Sequence, residues 1–204
     1  MSDFQGVSIS DQKRQQILEA AIAEFQERGF AGASMDRISD RATVSKRTVY
    51  NHFASKDVLF RAIIDCLADR MTAALDVVYV PGEDLRDQLT RLAWAEGNLL
   101  VDPCFMRMAR MLMGETIRHP VLAAEFAQRV DKMRAFGAFM DAAFADGALV
   151  AGTPELAATQ FMALIKARGF YPYLLTGGAP DRDLMQAIVA DAVAFMIKAF
   201  ARAD

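Results

Sequence analysis

Two cysteines, two histidines and a single tryptophan are all that the sequence holds of three residue types on which much protein chemistry depends. Cys66 and Cys104 form no CxxC pair, so a disulfide framework or a thiolate metal site is not expected. The default is two free, mostly buried thiols in a reducing compartment. His52 and His119 are solitary, and the chain has no Glu-x-x-His pair, Ser/His/Asp set or glycine-rich phosphate loop. Catalysis, a cofactor and a bound metal are therefore not expected. No uninterrupted apolar run approaches the ~18 residues of a membrane span, and the N-terminus lacks a signal-peptide pattern. A soluble cytoplasmic protein follows. Membrane attachment through the apolar last stretch is disfavoured by Asp191 and Lys198 and by the lack of a basic face. Strand alternation, repeats and low-complexity tracts are also missing.

What is present is helical periodicity. In a chain of 204 residues with 53% hydrophobic content, there is room for a small N-terminal module and one larger domain. Residues 1–9 are polar and irregular and are expected to form a disordered arm. From Ser10, apolar positions Ile17, Ala20, Ala21 and Phe25 recur at helical spacing up to Gly29. All six prolines follow Tyr79, and most punctuate helix junctions: Pro81-Gly82, Asp102-Pro103, Thr153-Pro154 and Pro180-Asp181. The expected fold is all-α. A three-helix module spans 10–54, and a helical bundle spans 55–204 with its first helix, 55–75, as connector.

Residues 34–56 read as two short helices joined by a tight turn at Thr43 and Val44. Ser34 and Ser45 are placed as N-caps. This stretch is basic in an acidic chain: Arg37, Arg41, Lys46, Arg47 and Lys56 against Asp36 and Asp40 leave +3, while the whole chain carries −3. Such an island suits local phosphate contact; a solvated hairpin of purely structural role is the alternative. The spacing favours nucleic acid. At about 100° per residue, Val49 and Phe53 share one face of the second helix, while Arg47, Thr48 and Asn51 face outward. Lys46 and Tyr50 flank one edge and His52 the other. Arg can pair bidentately with guanine and Asn with adenine. Lys46, Tyr50 and Lys56 suit phosphates, and Ser55 is the expected cap of the helix that follows.

These residues carry a resemblance. Ile17-Leu18-Glu19-Ala20-Ala21 with Phe25, Gly29-Phe30, Ser34 with Ile38, Ala42-Thr43-Val44-Ser45, Thr48-Val49-Tyr50-Asn51-His52-Phe53 and Ser55-Lys56-Asp57-Val58-Leu59-Phe60 together resemble the N-terminal DNA-binding domain of the TetR/AcrR family of transcriptional regulators. The resemblance covers residues 11–65 and implies a helix-turn-helix whose third helix enters the major groove, with Tyr50 and Lys56 touching the backbone. There are two departures: Thr43 stands where a turn glycine is usual, and Val58 where an acidic residue often completes a capping box.

In the second domain, Trp94, Phe105, Met108, Met111, Phe136, Met140 and Phe161 are the candidate lining of an effector site. Most such residues at helical spacing are plain core, but methionine suits adaptable apolar surfaces and bundle interiors are ordinary places for ligands. The family resemblance implies a small, mostly apolar effector there. No charged anchor for it is apparent in the sequence. Between Leu184 and Phe200, large apolar residues span an arc near 180°, wider than the ~100° stripe a surface helix needs. One face is then expected to pack on its own bundle and another on a second subunit, together with the helix from Thr153. Leu156, Phe161, Leu164, Ile188, Phe195 and Met196 are the candidate dimer contacts. By resemblance the two helices pair with their copies in a four-helix homodimer interface, and a two-fold dimer predicts an inverted-repeat operator. The function expected is a sequence-specific DNA-binding regulator, a repressor tuned by an effector. The rival is a helical protein-interaction module that does not bind DNA.

Overall fold

The computed structural model describes residues 9–118, 120–129 and 132–202. The arm expected over residues 1–9 lies outside these except for Ile9, which opens the first helix; His119 also lies outside. In chain order the helices are α1 (Ile9–Gly32), α2 (Met35–Arg41), α3 (Lys46–His52), α4 (Lys56–Ala74), α5 (Leu85–Leu100), α6 (Pro103–Arg118), α7 (Pro120–Arg129), α8 (Lys132–Ala145), α9 (Pro154–Gly169), α10 (Tyr171–Thr176) and α11 (Arg182–Phe200). Pairing of strand type among the described residues is one isolated bridge, Leu149 with Ala201. Two compact units result: Met1–Leu67 with Arg110–Ala123, and Ala68–Ala109 with Ala124–Asp204. Helices α4 and α6 thus each contribute to both units, whereas the sequence reading divides the chain at 54/55.

In the first unit, Ile17, Leu18, Ala21 and Phe25 on α1 are buried together with Ile38, Val49, Phe53, Leu59 and Phe60. The regular course of α1 breaks at Gly29, whose φ of 67° and ψ of 168° fall where glycine is at ease. The break turns Phe30 inward. Its ring lies 5.6 Å from Phe25 and 5.1 Å from Phe60, and the latter two are 5.6 Å apart. Ser34 Oγ accepts from Asp36 N–H and Ser45 Oγ from Thr48 N–H, so both expected caps form.

Between α2 and α3, Val44 N–H donates to Ser39 carbonyl and Thr43 N–H to Asp40 carbonyl, a Schellman closure whose left-handed residue is Thr43, at φ 56°. A β-branched residue pays a steric cost there that glycine does not. Thr43→Gly is therefore expected to raise stability by about 0.5–1 kcal/mol, after the entropy of a new glycine is subtracted. The melting temperature should rise by about 1–4 °C; no rise would mean the turn is unstrained.

In the second unit, α11 packs against both α9 and α5, and α8 against α9. Leu89, Leu92, Ala93, Gly97 and Leu100 form the buried stripe of α5, facing Met185, Ile188, Val189, Ala192, Val193, Met196 and Phe200 of α11. Met185 fits because the nearest backbone carries no side chains: a Cβ on Gly97 would sit 3.1 Å from its Cγ, and one on Gly169 2.9 Å from its Cε. Asp84, Thr153 and Asp181 cap α5, α9 and α11. Asp102 Oδ1 accepts from Cys104 N–H at the start of α6, and its other oxygen pairs with Arg70 of α4. Tyr79 donates its hydroxyl to Asp146 at 2.7 Å, and burial with that bond pushes its pKa up to about 12. Cys66 and Cys104 are half-buried rather than fully buried.

Candidate nucleic-acid interface

Helix α3 has seven residues, too few to hold itself in water, so its position depends on what it buries. Val49 is 0% exposed and Phe53 2%; these two residues seat it. Opposite them, Arg47 and Asn51 are exposed, and Tyr50 is 51% exposed. Among the described residues Arg47 has no ion-pair partner. A guanidinium and a carboxamide one helical turn apart on a protruding face offer the donor and acceptor patterns that match guanine and adenine edges. His52 lies half-buried beside Phe53, its ring centroid 6.4 Å away.

Other members of the proposed set are engaged inside the unit. Thr48 is half-buried, and its hydroxyl lies 2.8 Å from Ser45 Oγ, so it belongs to the cap of α3 and is only partly turned to solvent. Ser34 and Ser45 serve as caps. Lys46 is exposed but bonded to Asp36 at 2.7 Å, and that carboxylate holds the ammonium pKa above its ordinary value. Lys56 donates to the carbonyls of Ala31 and Ala33, each at 3.2 Å, with its ammonium 4.7 Å from the centre of the Phe30 ring.

The basic island is also more balanced than the sequence suggests. Arg37 bonds Glu24 at 2.6 Å and Arg41 bonds Glu27 at 2.7 Å, with Arg28 and Arg41 each 3.8 Å from Glu24. Two of the five cations are thus matched by anions from α1. These pairs fix α2 on α1, which places the turn that aims α3.

In the second unit Phe105, Met108, Phe136, Met140 and Phe161 are buried, Phe136 and Phe161 edge to face at 6.0 Å. Met111 is buried too but belongs to the first unit. Trp94 is half-buried, with the Arg182 guanidinium 4.7 Å above its ring. A charged pair missed in the sequence lies among these helices: Glu96 is wholly buried, 3.8 Å from Lys166, whose side chain is 13% exposed. The signal was there, since Glu96 falls on the Leu89, Leu92, Ala93, Leu100 stripe.

Of the dimer candidates, Phe161, Ile188 and Met196 point into their own unit, at 0–1% exposure. Leu156 and Phe195 stand outward at 45% and 43%, with Leu164 half-buried beside exposed Ala163, Ala167, Ala187, Ala190 and Ala194. No group of three His, Cys, Asp or Glu able to hold a metal occurs among the described residues, and no helix there is long and apolar enough to cross a membrane.

Comparison with known proteins agrees with this geometry. Residues 17–63 match the family described as bacterial regulatory proteins, tetR family, and residues 87–202 match the AefR-like transcriptional repressor C-terminal domain. Among curated relatives, the HTH-type transcriptional activator FasR of Mycolicibacterium smegmatis is 38% identical over 79 residues, 39% of this chain and 36% of that protein. The HTH-type transcriptional repressor SCO4008 of Streptomyces coelicolor is 34% identical over 76 residues, 37% of this chain and 38% of that protein. The chain therefore spans little more than a third of these curated relatives. Similarity to a solved structure is much wider: a TetR family transcriptional regulator from Pseudomonas syringae pv. tomato is 38% identical, with a TM-score of 0.81, over 95% of this chain and 99% of that one. With two domain matches in order and a likeness that runs nearly end to end, the chain belongs to the TetR family, a family of bacterial transcriptional regulators and not of enzymes.

Proposed function

We propose that the protein is a cytoplasmic, sequence-specific DNA-binding repressor that acts as a homodimer on an inverted-repeat operator and is tuned by a small, mostly apolar effector. The observation that carries this is the exposed Arg47, Tyr50 and Asn51 face of α3, held outward by buried Val49 and Phe53. Repression is favoured over activation by the match of residues 87–202 to a repressor domain. TetR-family regulators bind operator DNA and act as dimers, which supports the partners proposed. Arg47 and Asn51 read bases; Tyr50, with Lys46 after exchange of Asp36 for phosphate, positions the protein on the backbone. Anisotropy titration against the DNA flanking its own gene tests the reading: tight binding that survives excess random duplex supports it, and equal affinity for both opposes it.

The outward surface of α9 and α11, with Leu156, Leu164 and Phe195 among small alanines, is the proposed dimer face. Small residues let two helix pairs approach closely, and Phe195 is the large apolar group that a partner would cover. Phe195→Glu is expected to give a monomer by sedimentation and to weaken operator binding by more than about tenfold, since half-sites would then bind singly. A dimer that persists in the variant argues for another face.

The effector is proposed to lie in the second unit among Phe105, Met108, Phe136, Met140 and Phe161, whose interior is apolar and partly built of adaptable methionine. It would favour a conformer whose two α3 helices no longer match groove spacing. The shift is limited to the effector's differential affinity for the two conformers, about 1–3 kcal/mol of coupling.

A further inference from the structure

Of the seven described residues of α2, only Ile38 and Ser39 are buried, and the Ser39 hydroxyl donates to the Asp36 carbonyl of its own helix at 2.6 Å. One apolar knob, Ile38, holds a short helix in place but leaves it able to pivot about that contact. Because α2 packs against both α1 and α3, its angle passes to the helix that carries Arg47 and Asn51. The second fixed point is Glu24 of α1, 1% exposed. Arg37 donates through Nε to Glu24 Oε1 at 2.6 Å and through a terminal nitrogen to the Gly32 carbonyl. Arg41, one turn further along α2, lies 3.8 Å from Glu24 Oε2, and Arg28 lies 3.8 Å from Oε1. All these residues belong to the first unit.

We propose that Glu24 is a positioning residue for base reading: its buried carboxylate clamps Arg37 and Arg41, fixes the rotation of α2 and so aims α3, which sets the preference for operator over random DNA. Two effects act in the same direction. Hydrogen bonds to base edges need Arg47 and Asn51 held at one angle, whereas contacts to phosphates carry no sequence information. Glu24 also occupies guanidiniums that would otherwise offer positive charge to any duplex. The inference rests on the DNA-binding reading above.

The test compares operator and random-duplex affinity for the full-length protein and its Glu24→Leu, Glu24→Gln and Arg37→Gln variants. Arg37 and Arg41 are exposed, so removing the carboxylate strands no buried charge and the fold survives. Glu24→Leu lowers operator affinity about tenfold, the effect of losing a charge-assisted bond, while random-duplex affinity holds or rises. Arg37→Gln breaks the same bond from an exposed position and lowers the operator-to-random ratio in the same way. Glu24→Gln, whose amide oxygen still accepts from Arg37, lowers it less, by about threefold. An unchanged ratio in Glu24→Leu and Arg37→Gln, whether both affinities fall together or neither moves, would overturn the proposal while leaving DNA binding intact. Amide hydrogen exchange supplies a readout without DNA. In Glu24→Leu the α2 and α3 amides should exchange about tenfold faster or more, with α4 as protected as in the wild type; equal rates refute the clamp. If the wild type itself prefers no sequence, the DNA-binding reading fails and the exchange result alone decides.

Discussion

Arg47→Ala is expected to cost about 1–3 kcal/mol at one base pair of the operator and little at any other. The reason is geometric. Arg47 stands on the solvent face of α3 without an ion-pair partner among the described residues, so its two parallel donors are available to a guanine edge. Truncation removes that match without disturbing Val49 or Phe53, which hold the helix. Asn51→Ala should do the same at a second position, one helical turn of protein away. Lys46→Ala, by contrast, should weaken every sequence alike, because phosphates are everywhere. Competition binding with all single-base variants of the operator measures this directly. Equal losses across all sequences for Arg47→Ala would abolish the division between base reading and backbone contact.

Phe60→Ala is expected to destabilise the first unit by about 3–5 kcal/mol. Phe60 is 1% exposed and lies against both Phe25 and Phe30. Losing it would leave a hole between α1, α4 and the turn after Gly29. Domains of this size are stable by only about 5–15 kcal/mol, so much of the DNA-binding unit's margin would go. Denaturant unfolding followed by circular dichroism should show a midpoint shift of corresponding size, with operator binding lost at temperatures the wild type tolerates. A shift below about 1 kcal/mol would mean that the site collapses to fill the gap.

Much of this architecture was legible because local signals agreed. Ser34, Ser45 and Ser55 are expected as caps from their type and position, and each accepts a first-turn amide of the helix it opens. The α3 face followed from a period of 3.6 and two apolar residues, Val49 and Phe53. Harder to read were the charged residues that point inward. Glu24, Glu96 and Glu115 are all buried, at 1%, 0% and 4% exposure, and each sits on the apolar stripe of its helix. Their partners are Arg37, Lys166 and the Phe30 amide, 13, 70 and 85 residues away in the chain, and spacing along one helix does not reveal such distant pairs. Buried carboxylates persist only with such partners. The contacts of Lys56 were hidden for the same reason: only the fold brings the Ala31 and Ala33 carbonyls to it.

The breadth of the apolar arc on α11 was visible, but not which residues it turns inward. Ile188 and Met196 face α5 and α9 of their own chain, and Phe195 faces out. One residue of helical phase, 100° in an α-helix, separates a core methionine from an exposed phenylalanine. The membership of residues 110–123 in the first unit likewise depends on packing between segments far apart in sequence.

The most direct test is selection of bound duplexes from random DNA by the purified protein, sequenced at moderate and at high salt. Two α3 helices related by a two-fold axis should enrich an inverted repeat whose half-site centres lie about one helical turn, or a whole multiple, apart. Each half should carry a guanine and an adenine, and enrichment should fade steeply with salt. A pool with no enriched motif, or with binding indifferent to salt, would contradict DNA recognition by the Arg47 and Asn51 face.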